Sequence, residues 1–303
     1  MTAVLSVFLS DILPIFLIAG VGYLLANRLQ ANVKTLAHVA FYALAPCLAF
    51  RMLMTSKMTG PQAGRMALLA VLVTGAMGLL GRIAAIPFRL SRAELCAFLL
   101  VVMFSNGGNY GLPVVLFAFG NDALAHATVY FVTSSILTYT VGVFLAAAGR
   151  RSVSGAIAGI RKIPSIYGIA AALLVLTTGI SVPLAVMRPI QLLGDAAIPI
   201  MILVLGMQLE RASIPERPRV VAAAVGLSLV AAPLVAIGLS WLLGLAGPGR
   251  QAGVALASMP TAVVTTILAL EFDVGPAFVT NVVFITTLLS PLTLAPLIAY
   301  LTR

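Results

Sequence analysis

Apolar residues run along this chain in blocks of about twenty, the length a helix needs to cross a bilayer. The blocks show no strict alternation and are separated only by short polar breaks. They predict helices over residues 3–26, 33–54, 66–87, 93–119, 123–148, 164–181, 184–209, 219–246, 250–271 and 275–301. Lipid offers the backbone no hydrogen-bond partners, so each span must satisfy its own, as a helix does. The longest polar break, 149–163, holds Arg150, Arg151, Arg161 and Lys162. It divides the chain into a first unit, 1–148, a basic linker, and a second unit, 164–303.

Two blocks are interrupted. In the fourth, Phe104-Ser105-Asn106-Gly107-Gly108-Asn109-Tyr110-Gly111-Leu112-Pro113 places three glycines, two asparagines and a proline inside an apolar run. Proline lacks the N–H and clashes with the preceding turn, and glycine accepts backbone angles that helices do not use. Two half-helices are expected, with Pro113 opening the second. Its free N–H groups and positive dipole end would suit an anion. The ninth block carries Ala257-Ser258-Met259-Pro260-Thr261-Ala262-Val263-Val264-Thr265-Thr266. Pro46 and Pro199 lie 153 positions apart, and Pro113 and Pro260 lie 147 apart. That near-constant offset suggests two copies of a five-helix unit. An odd number of spans per copy inverts the second, and matched interruptions in inverted repeats point to a transporter's binding site.

Composition agrees on lipid as the solvent. Hydrophobic residues make up 61% and charged residues 9%, with mean hydropathy +1.14, against about 25% charge in soluble domains. The net charge of +10 does not imply nucleic acid, because the basic residues sit singly or in pairs between apolar runs. Twelve fall in the odd-numbered loops and four on the other side, with Arg51 and Arg188 inside spans. The positive-inside rule then expects odd loops in the cytoplasm and both termini outside the inner membrane. The first basic residue is Arg28, so the first apolar run is expected to be a span rather than a signal peptide.

Few residues carry chemistry. Asp195, in Gly194-Asp195-Ala196-Ala197-Ile198-Pro199, is the one carboxylate well inside a span. An intramembrane ionisable group is a functional candidate by default, here for coupling to H+ or Na+. Asp11 reads as interfacial, Glu271 and Asp273 as solvated, and Arg51 and Arg188 as able to snorkel. His38 and His126 read as packing or polar-end residues, Cys47 and Cys96 as buried thiols with no metal spacing, and no cofactor is expected. An intramembrane protease needs a base beside a nucleophile or two deep carboxylates, and neither is present. An enzyme is therefore not expected.

The quoted motifs resemble the auxin efflux carrier family. Asn106–Pro113 followed by Phe119-Gly120 is similar to its first crossover, and Phe41–Pro46 to its second helix. Ala197–Gly206 is similar to its seventh helix, and Met259–Ala262 to its second crossover. The likeness spans essentially the whole chain. It implies an all-α membrane protein of about ten helices in two inverted five-helix repeats, with crossover helices 4 and 9 broken, as in bile acid/sodium symporters. A scaffold part and a transport part would move relative to one another in an elevator-like way, and homodimers form through the scaffold in proteins of this fold. Family members include plant auxin exporters and bacterial permeases for malonate and malate. The long hydrophilic central loop of the plant carriers is absent, and the first crossover has its own pattern, so auxin is not carried over as the substrate.

The expected function is secondary transport of a small mono- or dicarboxylate by alternating access. Candidate substrate contacts are Asn106, Gly108, Asn109, Tyr110, Gly111, Pro113, Met259, Pro260, Thr261 and Thr265. A potential-driven uniporter is the nearest alternative, since an anion leaving a negative-inside cell gains energy. A channel is the other.

Overall fold

The computed structural model describes residues 2–55, 59–148, 164–208 and 217–302. The basic linker lies outside the described residues. What is described is helical apart from one isolated β-bridge. The chain order is α1 (2–29), α2 (Val33–Thr55), α3 (Gly60–Ala84), α4 (Arg92–Met103), α5 (107–119), α6 (121–148), α7 (Pro164–Thr178), α8 (Leu184–Gln208), α9 (Pro218–Leu242), α10 (Gly247–Ala257), α11 (Val264–Phe272) and α12 (Pro276–Leu301). Among the described residues, seven helical stretches are long and apolar enough to cross a membrane.

Local sequence accounts for most boundaries. Asn32 caps α2 by accepting the Thr35 N–H at 3.1 Å. Ser91 and Glu94 form a reciprocal capping box at the start of α4, satisfying two otherwise orphaned donors. Gly120 separates α5 from α6 with φ 79 and ψ −169, a region nearly closed to residues with a Cβ. Four π-helical turns, Phe8–Ile12, Ala40–Leu44, Gly107–Gly111 and Leu227–Ala231, each end two residues before a proline. The proline ring crowds the carbonyl four residues back, and a wider turn relieves that clash without ending the helix.

That device corrects one expectation. Pro113 does not open the second half-helix. The helix already begins at Gly107 with the widened turn, and Pro113 lies in its second turn. Pro260 lies in the extended segment between α10 and α11.

The helices pack in two groups. α1, α2, α7 and α8 contact one another closely, as do α3, α4, α6, α9, α10 and α12. In the first group α1 lies on α8 backbone to backbone. A Cβ on Gly206 would stand 1.7 Å from the Ala19 oxygen, and one on Gly22 would stand 2.1 Å from that of Leu203. α7 meets α2 in the same manner, Gly168 lying under the Pro46 carbonyl. Leu5, Leu9, Leu17, Val21 and Leu24 remain on the outer face of α1, where lipid is the natural contact.

Tertiary contacts sort the connections into two ends. Arg217, before α9, pairs with Glu94 and donates to the Phe88 carbonyl at 3.3 Å, joining the α3–α4 and α8–α9 connections. At the other end Arg65 reaches the Gly244 carbonyl at 3.5 Å. Arg250 there donates to the Tyr300 hydroxyl at 2.9 Å and lies over the Trp241 ring.

Candidate functional site

The two interruptions meet in the core. α4 ends at Met103 and Phe104 turns extended, with φ −117 and ψ 111. Ser105 and Asn106 favour this because their side chains compete for backbone hydrogen bonds, and the glycines behind them are poor helix formers. α10 ends at Ala257, where Pro260 forces the residue before it toward extended geometry. The two short extended pieces run antiparallel. Asn106 N–H donates to the Pro260 carbonyl at 2.7 Å, and Ala262 N–H donates to the Phe104 carbonyl at 2.9 Å.

Side chains repeat the exchange. The Ser105 hydroxyl donates to the Leu256 carbonyl and the Thr261 hydroxyl to the Val101 carbonyl, both at 2.8 Å. Each arm thus donates to a carbonyl in the last turn of the other arm's helix, where helix carbonyls lack their full intrahelical partners. Ser228 adds a second donor to Val101 at 3.3 Å, and Thr286 accepts the Thr261 N–H at 3.2 Å. The C-terminal ends of α4 and α10 and the N-terminal ends of α5 and α11 therefore meet at one place. Partial charges of both signs are concentrated there inside an apolar core.

The sequence candidates divide at this crossing. Asn106, Met259, Pro260 and Thr261 belong to it, and all four are buried. The Asn106 Nδ2 has no hydrogen-bond partner, although leaving a buried donor unpaired costs roughly 1–3 kcal/mol. Asn109 follows on the first turn of α5, half-buried. Gly108 and Gly111 serve packing: a Cβ would stand 2.8 Å from the Phe131 ring at the first and 3.1 Å from Met259 Cγ at the second. Tyr110 is fully buried away from the crossing, accepting from the Ser290 hydroxyl at 3.0 Å and meeting Phe16 edge-on. Thr265 donates to the Ala262 carbonyl at 2.6 Å, within its own helix start.

Beside the crossing is a small cavity of about 10 Å³, lined in part by the hydroxyl residues Thr74, Ser105, Tyr130, Ser134, Ser228 and Thr261. It has room for about one water. Thr74, Ser134, Ser228 and Thr286 were not identifiable from sequence, since an isolated hydroxyl in an apolar span has no local signature. Ser105 could have been, because it stands inside the interrupted motif.

Asp195 lies elsewhere. It forms an ion pair with Arg51 at 2.5 Å, from α8 to α2. Arg51 thus has a carboxylate partner on the neighbouring helix. Gly194 has no side chain to block it, and the Arg51 Nε would be 3.4 Å from a Cβ placed there. The pair stands on a cleft of about 190 Å³ between α1, α2, α5, α6 and α8. Two opposite charges inside two predicted spans were a sequence signal for such a pair, since ionisable residues within membrane spans are kept mostly with partners. His126 is a packing residue: its Nδ1 lies 2.9 Å from the Asp122 carbonyl and its ring faces Gly249.

These features define a multi-pass helical membrane protein in which two interrupted helices cross and cap one another. The chain belongs to the membrane transport protein family, the auxin efflux carrier-like family, whose model matches residues 7–156 and 155–298. An uncharacterized transporter of Methanothermobacter thermautotrophicus is 25% identical over 289 residues, covering 92% of this chain and 93% of the relative. An uncharacterized transporter of Methanocaldococcus jannaschii is 24% identical over 212 residues, covering 69% of each. The family assigns the chain a role in transport.

Proposed function

We propose that this protein is a secondary transporter of small organic anions, mono- or dicarboxylates, working by alternating access around the crossing. The carrying observation is Asn106, whose buried amide has no partner where the two half-helix N-termini converge. A donor kept unpaired inside the core invites an acceptor that the protein does not supply. A carboxylate is such an acceptor, and the positive ends of α5 and α11 favour its charge. Asn109, with the backbone around Met259, Pro260 and Thr261, completes the proposed contacts. Gly108, Gly111 and Pro113 shape the approach, and Tyr110 and Thr265 hold it from behind.

Two inverted five-helix repeats are part of this reading. Shifting 106 forward and 260 back by 156 positions exchanges the Asn106–Pro260 bond with the Ala262–Phe104 bond. The two hydroxyl caps exchange in nearly the same way. Such reciprocity is what two copies related by a two-fold axis would produce. On this view α1, α2, α7 and α8 are the scaffold, held stiff by backbone-close packing, and the remaining helices move against them. The basic residues support cytoplasmic odd loops and outward termini in the inner membrane. A homodimer through the scaffold fits the same scheme, and Asp195 is the proposed point of coupling to H+ or Na+. A potential-driven uniporter is the alternative, because Arg51 already neutralises Asp195.

The test is a thermal-shift screen of detergent-purified protein against mono- and dicarboxylates, with and without sodium and at two pH values. A ligand that binds the native state alone raises stability by about 2.7 kcal/mol at a hundredfold excess over its Kd. Stabilisation by a carboxylate is expected. Absence of any shift in folded protein would remove the organic-anion assignment.

A further inference from the structure

The small cavity beside the crossing lies on one electrical side of it. Residues 101–105 line it from the end of α4, and Ala257, Met259 and Thr261 from the end of α10 and the arm beyond. No residue of α5 or α11 takes part. The cavity therefore faces the C-terminal ends of two helices, each with partial negative charge, and neither N-terminal end. The hydroxyl chemistry agrees. Thr74 donates to the Ala70 carbonyl, Ser105 to that of Leu256, and Ser228 and Thr261 to that of Val101. A hydroxyl whose proton is engaged offers only lone pairs to a further group. Tyr130 and Ser134, one turn apart on α6, are 3% and 9% exposed. Among the described residues neither of these two hydroxyls has a hydrogen-bond partner, and each is accessible to a water-sized group, unlike the sealed Asn106 amide.

We propose that this cavity binds one dehydrated monovalent cation, sodium, held by the hydroxyl oxygens of Thr74, Ser105, Tyr130, Ser134, Ser228 and Thr261. Oxygen ligands select a hard cation over a transition metal. No charged side chain lines the cavity, and the two helix ends together supply about one negative charge. A divalent ion would bury its second charge without compensation, which is costly. Room for about one water leaves none for a hydration shell, so the protein oxygens replace it. The ligands come from α3, α6, α9 and both arms of the crossing, and the ion fastens these elements together. The site is separate from Asp195 and does not depend on the organic-anion reading. It gives the crossing opposite charge preferences on its two sides.

Thermal melts of the full chain in sodium-free detergent, with no carboxylate present, test this. Sodium, potassium and choline chlorides are compared at equal ionic strength. Sodium is expected to raise Tm saturably, and beyond potassium or choline, by mass action on the native state. Tyr130→Phe and Ser134→Ala each delete a hydroxyl that bonds to no described residue, so Tm in choline is expected to stay close to wild type. In each variant the sodium concentration that gives half the shift is expected to rise about tenfold or more, the scale of a lost bond to a charged group. A merely structural hydroxyl would instead change Tm in choline and spare the sodium response. Should one variant fail to fold, the other carries the test. A sodium shift no larger than that of potassium or choline overturns the proposal and leaves the cavity to water. A sodium shift kept at wild-type affinity in both variants, or lost only in Asp195→Asn, also overturns it and moves the ion elsewhere. None of these outcomes decides carboxylate binding, which the separate screen reads.

Discussion

If the crossing is held by reciprocal capping, removing either hydroxyl should loosen it by a calculable amount. Thr261→Val keeps the side-chain shape and deletes the 2.8 Å bond to the Val101 carbonyl, at a residue 1% exposed. Val101 keeps only the longer bond from Ser228. Ser105→Ala leaves the Leu256 carbonyl with the Met259 N–H at 3.4 Å. Each change should cost about 1–2 kcal/mol, between a net hydrogen bond and a partly unsatisfied buried carbonyl. At about 2 °C per kcal/mol for a chain of this size, apparent Tm should fall by about 2–4 °C. A thiol-reactive dye can follow the melt, because Cys47 is half-buried and Cys96 buried, and both are free thiols. Thr280→Val is the control, its hydroxyl only bonding back to Pro276 within its own helix. The double variant should depart from additivity by about 0.5 kcal/mol or more, since both bonds brace one junction. Melting temperatures of both single variants equal to that of the control would refute the reasoning.

Other expectations follow from the same geometry. Gly206→Ala drives a Cβ to 1.7 Å from the Ala19 oxygen, so α1 and α8 must separate. The cost is about 1–3 kcal/mol or more, read as a lowered Tm, whereas Gly20→Ala, with nothing within 4 Å, should stabilise by up to about 1 kcal/mol. Gly120→Ala forces a side chain into the φ 79 conformation and should lower the melt by the equivalent of about 1–3 kcal/mol; an unchanged melt would mean that the α5–α6 junction relaxes freely. Asn109→Ala should abolish carboxylate binding in a protein that remains folded, and wild-type affinity there would remove Asn109 from the site. Asp195→Asn should make transport in proteoliposomes insensitive to the pH or sodium gradient. An unchanged ion dependence would exclude Asp195 from coupling.

The interruptions were legible in the sequence because they are local. Ser105, Asn106, Gly107 and Gly108 together weaken a helix, and Pro260 fixes the residue before it, whatever surrounds them. The exact start of α5 was not legible. A proline at position 113 suggests a helix beginning, but glycines at 107, 108 and 111 allow a widened turn to absorb the ring, and the helix starts six residues earlier. Nor was it legible which polar groups are already occupied. The Thr261 hydroxyl looks free in the sequence and is bonded to Val101, 160 positions away.

The sequence by itself determined that lipid is the solvent, that helices are the elements, and where two of them break. These follow from composition and from backbone preferences acting over a few residues. Only the tertiary structure decided that the two breaks cross and cap each other, that Arg51 meets Asp195, and that Gly206 lets α1 touch α8. Those facts depend on pairs of residues more than a hundred positions apart. Hydropathy along a chain records how much each residue avoids water, and carries no record of which distant partner it will meet.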